Sequence, residues 1–336
     1  MTIRGQVKQI LRSLLAKFGF DIVPSAYVYD WQVDLEAVSR VPISLPPDAR
    51  QYLRPDNPLL LDLQERYQNF CEYPSDEILL WTADRISPED MLNFRGHNAY
   101  VFQEGSFNRN PFGYLLAYYY LKARDELGLL DVLSEDSAFG AVSYRMDGRQ
   151  VSRDLLDSIL EIYFLQDNLP IMDKEDLTVV DIGAGYGRLA HRMTRAVKGL
   201  KRYYCVDAVG VSTFICDYYL KYRRVADRAQ VVPLDCIRDQ ILPGEIDLAV
   251  NIHSFSECTL PAIQWWLDLL KELEVPNLMI IPNSKEGRMI NIHKQDFSSL
   301  IEKSGYQLIT SQPKYLDPIV QKYALNPDYS YLYSLQ

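Results

Sequence analysis

The sequence is short of the residues that build disulfide frameworks and zinc sites. Its 336 residues include five cysteines, an odd number, and none of these forms a CxxC pair. It also lacks an apolar run long enough to cross a bilayer, and its first residues lack the continuous apolar stretch of a secretion signal. These absences argue against a disulfide-rich secreted protein and against a membrane-spanning one. We therefore expect free thiols, a reducing compartment and a cytoplasmic location.

Positive charge is scarce as well. The chain carries 35 lysines and arginines against 45 aspartates and glutamates, a net charge of −10. An acidic protein repels phosphate backbones unless it gathers its basic residues in one place, so nucleic acid is not an expected partner. Tyrosine, by contrast, is abundant at 24 residues. Its flat ring and hydroxyl suit a cleft for sugars or polyols, although tyrosine fills half-buried positions equally well.

The length exceeds one typical domain of roughly 100–200 residues, which predicts two parts. We place a mainly helical N-terminal cap at residues 1–150 and a catalytic domain at 151–336. From residue 177 onward, apolar segments typical of strands alternate with helical segments. This alternation predicts an α/β fold with a mainly parallel, Rossmann-like sheet and helices on both faces. Ser152 is a plausible N-cap for the periodic helix that follows it.

Two segments of the cap suggest contacts. Residues 3–18 form a basic amphipathic pattern, which favours an anionic membrane surface, a partner, or ordinary packing on the protein's own domain. Residues 93–114 are dense in Asn, Arg, Gly and aromatic residues, a composition typical either of the border of a binding cleft or of an irregular surface loop. Within this segment, the candidate acceptor contacts are Arg95, His97, Tyr100 and Gln103.

The most informative run is VVDIGAGYGR at 179–188, which predicts a strand, a glycine turn and a helix. Glycine permits backbone angles that are closed to other residues, and it leaves room for a ligand beside the backbone. A dinucleotide fingerprint, GxGxxG, would need its third glycine at Arg188. The spacing here is GxGxG with Asp181 two positions before the first glycine, and it is similar to the first motif of class I S-adenosylmethionine-dependent methyltransferases.

Acidic residues follow the next two predicted strands. Asp207 could accept hydrogen bonds from ribose hydroxyls, a role that acidic residues have in both cofactor classes. Asp235 stands where methyltransferases contact the adenine amino group. Taken singly, either residue could instead cap a helix or a turn. With S-adenosyl-L-methionine as the expected cofactor, the predicted cofactor-binding residues are Asp181, Gly183, Ala184, Gly185, Asp207, Ala208, Asp235, Cys236 and Asn251.

Polar residues crowd the carboxyl end of the fourth predicted strand. Methyl transfer to a hydroxyl requires a base, and histidine is the commonest one near neutral pH. We therefore predict His253 as general base, with Glu257 as its orienting partner and Ser254 as an acceptor contact. His253 could equally be a capping or core histidine. No compact cluster of carboxylates and histidines indicates a metal, so none is predicted.

The runs SRDLLDSILEIYFL, VVDIGAGYGRLA, YYCVDA and NIHSFSE together resemble the sugar O-methyltransferase family, most clearly over residues 145–290. The resemblance implies a class I methyltransferase fold, a helical N-terminal part and a sugar hydroxyl as acceptor, whether free, nucleotide-linked or within a glycan. It also implies that residues 251–257 face the acceptor. The residues that it assigns to the cofactor site are Asp181, Gly183, Gly185, Asp207 and Asp235.

Three other functions stay open at this point. A nicotinamide-dependent oxidoreductase is disfavoured by the GxGxG spacing, and a non-catalytic scaffold would not need the glycine turn or the acidic strand ends. A methyltransferase acting on an amine or a small phenol is not separated from one acting on a sugar, because fold alone does not fix a substrate. The sequence also leaves open whether the protein forms oligomers.

Overall fold

The computed structural model describes residues 44–74, 87–98, 101–102, 111–284 and 286–336, with isolated positions between 11 and 20. The predicted basic helix at 3–18 lies mostly outside the described residues, and Tyr100 and Gln103 lie wholly outside them. None of the helices in the described ranges is both long and apolar enough to span a bilayer.

Helices are distributed along the whole of the described chain. They are α1 (Ala49–Tyr52), α2 (Pro58–Asn69), α3 (Pro88–Leu92), α4 (Pro111–Lys122), α5 (Leu129–Val132), α6 (Arg153–Asn168), α7 (Arg188–Ala196), α8 (Gly210–Tyr222), α9 (Ile237–Gln240), α10 (Leu260–Glu272), α11 (Ser298–Lys303) and α12 (Pro318–Tyr323). The predicted cap of α6 is confirmed, since the Ser152 side chain accepts a hydrogen bond from the Leu155 N–H at 3.1 Å.

The strands form two short hairpins and one large sheet. The hairpins join β1 (His97–Asn98) to β2 (Val101–Phe102) and β3 (Ser143–Met146) to β4 (Arg149–Ser152). The sheet contains β5 (Leu177–Ile182), β6 (Leu200–Val206), β7 (Ala229–Val231), β8 (Leu248–Ile252), β9 (Asn277–Ile281), β10 (Tyr306–Pro313) and β11 (Tyr329–Leu335).

The seven strands of the sheet lie in the order β10-β11-β9-β8-β5-β6-β7. From β7 to β9 each neighbouring pair is parallel, whereas β11 runs antiparallel to both β9 and β10. The first three strands, β5, β6 and β7, lie side by side in that order, and the chain then crosses to β8 on the other side of β5. In such a sheet, ligands bind in the crevice beyond the carboxyl ends of the strands, where the strand order reverses.

Both faces of the sheet are covered, as predicted. Val179 of β5 belongs to an apolar cluster that includes Leu155 of α6, while its neighbour Val180 belongs to a second cluster that includes Ile263 of α10. The first cluster also contains buried residues of α4 and α5. Residues 111–133 therefore share a core with the sheet, and the domain boundary at residue 150 stays a prediction.

One strand is shorter than the sequence suggests. The segment AQVVPLD predicts a strand that ends at Asp235, but β7 ends at Val231 and a 3₁₀ turn follows at Leu234–Cys236. Proline explains the difference, because Pro233 has no backbone N–H with which to continue the ladder. Asp235 is therefore displayed on a turn beyond the strand rather than at its end.

Candidate active site

The glycine turn after β5 has a backbone that only glycine adopts readily. Gly183, Gly185 and Gly187 all have positive φ, at 71°, 57° and 83°. A Cβ at Gly183 would lie 2.3 Å from the Ser254 Oγ, and a Cβ at Gly187 would lie 2.9 Å from the Cys216 Sγ. The turn is fastened to β6, because the N–H groups of Gly183 and Ala184 donate to the Val206 carbonyl at 2.9 and 3.1 Å. The result is a fixed turn that presents bare backbone and leads directly into α7.

Asp207 is fixed at the end of β6, as the sequence suggests. Its Oδ2 accepts from the Gly185 N–H at 3.1 Å, and its Oδ1 accepts from the Val209 N–H at 2.9 Å. Burial raises the pKa of Asp207 to about 7, with Glu257 adding to the shift while the backbone N–H groups oppose it. Each carboxylate oxygen retains a further lone pair that can accept from a ligand hydroxyl.

Asp181 lies deeper in the sheet. Its side chain is buried, and the Tyr203 hydroxyl donates to its Oδ2 at 2.8 Å. Burial raises the pKa of Asp181 to about 7, against the effect of the Tyr203 hydrogen bond. Together with Asp207 and Glu257, Asp181 makes this end of the sheet rich in carboxyl groups, an electrostatic environment that favours a cationic ligand.

Asp235 makes a contact that local sequence patterns do not reveal. Arg66 of α2 donates from Nε to Asp235 Oδ2 at 2.9 Å and from Nη2 to Asp235 Oδ1 at 2.8 Å. The same Nη2 also donates to the Cys236 Sγ at 3.0 Å. A helix of the predicted cap therefore reaches the turn that was assigned to adenine recognition.

His253 stands where β8 ends, in the left-handed region with φ 68°. Its N–H donates to the Ile281 carbonyl at 2.7 Å, which ties it to β9. Its Nε2 lies 3.5 Å from the Asp328 Oδ2. Catalytic hydrogen bonds are often this long before a substrate binds. Asp328 lies at this edge of the sheet because it precedes the antiparallel strand β11, and the predicted role of Glu257 as orienting partner stays a prediction.

Asp328 belongs to a chain of charges, which we call the His253 network and define as His253, Asp328, Lys314, Asp157 and Arg153. Lys314 forms an ion pair with Asp157 and lies 3.9 Å from Asp328, while Arg153 binds Asp157 at 3.0 Å. Burial on its own would raise the pKa of Asp328, but His253 and Lys314 hold it well below its usual range. The network therefore presents an ionised carboxylate to the imidazole of His253.

A cleft adjoins this network between α6 and the edge strands. Apolar walls come from Leu160, Phe164 and Ile281, and polar groups come from Lys314 and Asp328. Glu161, Gln312 and Ser330 line the cleft as well, so polar residues slightly outnumber apolar ones in its walls. Its lining comes from α6 and from β9, β10 and β11, which follow β8 in the strand order on the side opposite β5 and β6.

Asn251 and Ser254 belong to the frame of the site. The Asn251 side chain is fully buried, donates to the Ile182 carbonyl at 3.0 Å and accepts from the Phe255 N–H at 3.0 Å. It also donates to the Ser254 Oγ at 2.7 Å. The predicted ligand role of Asn251 is corrected by this placement, because its amide groups are used in joining β5 to the loop after β8. Ser254 is partly exposed beside Gly183, and its predicted acceptor contact stays a prediction.

Arg95 is also corrected. Its side chain is completely buried in what we call the Arg95 cluster, defined as Arg95, Glu135, Asp136, Asp154 and Arg192. Arg95 binds Glu135 at 2.6 Å, Asp136 at 2.9 Å and Asp154 at 3.3 Å. An arginine surrounded by three carboxylates and sealed from solvent does not reach an acceptor.

The remaining predicted site residues lie at the end of a strand or turn, in a short strand or outside the described residues. Ala208 and Cys236 are partly exposed at the ends of β6 and of the 3₁₀ turn, and their cofactor role stays a prediction. His97 lies in the short strand β1, and the acceptor role of His97, Tyr100 and Gln103 likewise stays a prediction. Among the described residues, no three His, Cys, Asp or Glu side chains are grouped as a metal site.

The strand order and crossovers define an α/β, Rossmann-like class I methyltransferase fold. No family model matches the sequence, and no curated protein matches it either, so the resemblance to sugar O-methyltransferases stays a prediction. The chain is distantly similar to solved structures. These include a SAM-dependent methyltransferase from Aquifex aeolicus, at 17% identity over 54% of this chain and 98% of that one, with a TM-score of 0.39.

Two further solved structures show the same distant likeness. Magnesium protoporphyrin IX methyltransferase from Synechocystis PCC 6803 with bound SAM is 13% identical over 54% of this chain and 77% of that one, with a TM-score of 0.38. WbdD, in complex with a kinase inhibitor, is 22% identical over 52% of this chain and 40% of that one, also at 0.38. These scores are too low to support a function.

Proposed function

We propose that this protein is an S-adenosylmethionine-dependent methyltransferase that methylates a hydroxyl group of a sugar. The observation that carries the proposal is the junction of the glycine turn with Asp207. The Gly185 N–H holds the Asp207 carboxylate at the crevice, beside a turn in which every second residue is a glycine. This arrangement offers acceptors for the two ribose hydroxyls and room for the rest of the nucleoside.

The residues at this edge also fit the charge of the cofactor. Asp181, Asp207 and Glu257 place three carboxyl groups at this edge, while Arg188, the first residue of α7, is neutralised by Glu161 at 2.8 Å. When bound, S-adenosylmethionine would supply a methyl carbon activated by a positively charged sulfonium. Carboxyl groups near a sulfonium lower its free energy, whereas a dinucleotide carries phosphates that they would repel.

His253 is the residue that we assign to proton removal. Its Nε2 faces the ionised Asp328, so Nδ1 is the ring nitrogen left to accept a proton from the acceptor hydroxyl. Asp328 would then stabilise the imidazolium and hold the ring in one orientation, as carboxylates do beside catalytic histidines. The burial of Asp328 and Lys314 keeps the carboxylate fixed and poorly hydrated, which strengthens this interaction.

The sugar acceptor is supported by the sequence resemblance and by the form of the cleft beside the His253 network. Apolar walls such as Phe164 can contact the C–H face of a sugar ring, while Lys314 and Ser330 can bind its hydroxyls. An amine or a phenol would not need several polar side chains to bind its hydroxyls, and both acceptor classes are alternative outcomes of the test below.

The test is a transfer assay with S-adenosylmethionine labelled in its methyl group. Panels of free sugars, nucleotide sugars and glycans are compared with panels of amines and phenols, and products are identified by mass. We expect label in a sugar ether, with turnover reduced by roughly 10²–10⁴-fold in His253→Ala. The matched control is His293→Ala, which removes an exposed histidine outside the His253 network. Label found only in amines or phenols would contradict the sugar assignment, and turnover unaffected by His253→Ala would remove the proposed base.

A further inference from the structure

Helix α2 contacts the turn at Leu234–Cys236 through more than one side chain. The Tyr67 hydroxyl accepts from the Leu234 N–H at 2.9 Å and is hydrogen-bonded to the Thr213 Oγ1 at 2.8 Å. Tyr67 is buried, so these bonds are shielded from water. Just beyond the helix, Glu72 forms an ion pair with Arg238 at 3.0 Å. The turn after β7 is therefore held from the cap side as well as by the sheet.

The Arg66–Asp235 pair differs from the buried hydrogen bonds of Tyr67 in its exposure to solvent. The two side chains are 34% and 21% exposed, so the pair lies at a solvent-accessible rim. Ion pairs with this much exposure contribute little to stability. The geometry is nevertheless bidentate, with both nitrogen-to-oxygen distances below 3 Å. A bidentate arginine fixes the plane and rotation of a carboxylate.

We infer that Arg66 is a positioning residue that sets the Asp235 carboxylate to receive the exocyclic amino group of the cofactor's purine. The inference rests on the proposed function, which makes an adenine nucleoside the ligand. It assigns part of purine selectivity to α2 in the cap, rather than to the sheet domain alone.

The chemistry follows from counting acceptors. An ionised carboxylate has about four lone-pair sites and no donor, and Arg66 occupies one site on each oxygen. The remaining sites can accept only from N–H or O–H groups. Adenine presents an amino group at this edge, whereas hypoxanthine presents a carbonyl oxygen, which the carboxylate would repel. Arg66 supports this selection because its two hydrogen bonds hold the Asp235 carboxylate in one plane and one rotation.

The test compares binding of S-adenosylhomocysteine with that of S-inosylhomocysteine by calorimetry. We expect the wild-type protein to prefer the adenine ligand by about tenfold or more. Arg66→Ala is expected to reduce this preference severalfold. Arg66→Lys should retain only part of it, since lysine keeps the charge but cannot make the bidentate contact. The double variant Arg66→Ala/Asp235→Ala should show no further loss of preference beyond Asp235→Ala alone. Arg54→Ala is the matched control, because Arg54 pairs with Asp56 in an exposed position just before α2.

The outcomes are separable. A preference that Arg66→Ala leaves unchanged, while both affinities fall together, would show that α2 only supports the fold, and the inference would be overturned. Thermal unfolding of each variant identifies a loss of ligand affinity that comes from misfolding. If Arg66→Ala misfolds, the ligand preference of Arg66→Lys is compared with that of the wild-type protein instead. A folded wild-type protein that binds neither ligand would instead contradict the proposed function, and with it this inference.

Discussion

The Arg95 cluster and the His253 network have similar composition but different surroundings. Both alternate cations with carboxylates at the edge of the same fold. In the Arg95 cluster, the side chains of Arg95 and Glu135 are completely buried, and Arg95 is paired with Glu135, Asp136 and Asp154. In the His253 network the ion pairs are also poorly exposed, but the chain of charges ends at His253, whose side chain is 24% exposed beside a cleft. A buried charge network thus indicates function only when it ends at an accessible group that can exchange a proton.

The Arg95 cluster should give the largest effect on stability. Arg95→Ala leaves Glu135 and Asp154 buried without their cation, and breaking a buried pair in this way costs about 3–5 kcal/mol of unfolding free energy. Denaturant unfolding of the variant measures this cost. Arg145→Ala serves as control, because Arg145 is exposed on β3 and should change stability by less than about 0.5 kcal/mol. A loss for Arg95→Ala as small as that of the control would mean that the Arg95 cluster does not stabilise the fold.

The His253 network should affect turnover more than stability. Asp328→Asn removes the negative charge that stabilises the imidazolium, and we expect turnover to fall by about 10²-fold with little change in cofactor affinity. Steady-state rates and cofactor titrations check this, with Asp173→Asn as an exposed control. A loss of cofactor affinity in proportion to turnover would argue against the proposed role.

Asp181 provides a buried carboxyl group whose hydrogen-bond partner is a hydroxyl rather than a cation. Its pKa is raised to about 7 by burial, so between pH 3.8 and about 7 the folded state holds a proton that the unfolded state has lost. Stability attributable to this group therefore falls as pH rises through that window. We expect Asp181→Asn to stabilise the protein by on the order of 2 kcal/mol at about pH 8, with the gain shrinking toward pH 4. Equal gains at both pH values would contradict the raised pKa.

Asp207 should give the smallest of these effects, a change in affinity for S-adenosylhomocysteine with pH. The ionised carboxylate is the better acceptor for ribose hydroxyls, and its pKa is raised to about 7. Affinity for S-adenosylhomocysteine should therefore rise by up to about tenfold between roughly pH 6 and pH 8. In Asp207→Asn this dependence should be lost. Calorimetry in buffers of matched ionic strength measures it, and a flat wild-type profile would separate Asp207 from ligand binding.

Local sequence patterns predict the features of this molecule that depend on residues close together in the sequence. The glycine turn, the alternation of strands and helices and the Ser152 cap all follow from short stretches of sequence, and the structure has each of them. The end of β7 was placed too late because Pro233 interrupts an otherwise apolar run. That error can be avoided, since the missing N–H of proline is visible in the sequence.

Long-range partners were not predictable in the same way. Arg66 meets Asp235 across 169 positions of sequence, and neither residue carries a local signal of the other. His253 was assigned to Glu257 because Glu257 is near in sequence, whereas Asp328 reaches the site from the antiparallel strand β11. Arg95 and Asn251 look like ligand residues in sequence because they are polar and lie near aromatic or strand-end positions. Their burial depends on packing that local sequence does not encode.

The central claim is that the crevice beside the glycine turn binds S-adenosylmethionine. Calorimetric titration of the purified protein with S-adenosylhomocysteine tests it most directly, alongside Asp207→Ala and the control Asp227→Ala, which removes an exposed aspartate just before β7, at the opposite edge of the sheet. We predict binding that Asp207→Ala weakens by at least about tenfold and that Asp227→Ala leaves unchanged. The absence of binding by the well-folded wild-type protein, or equal affinity in all three proteins, would contradict the account.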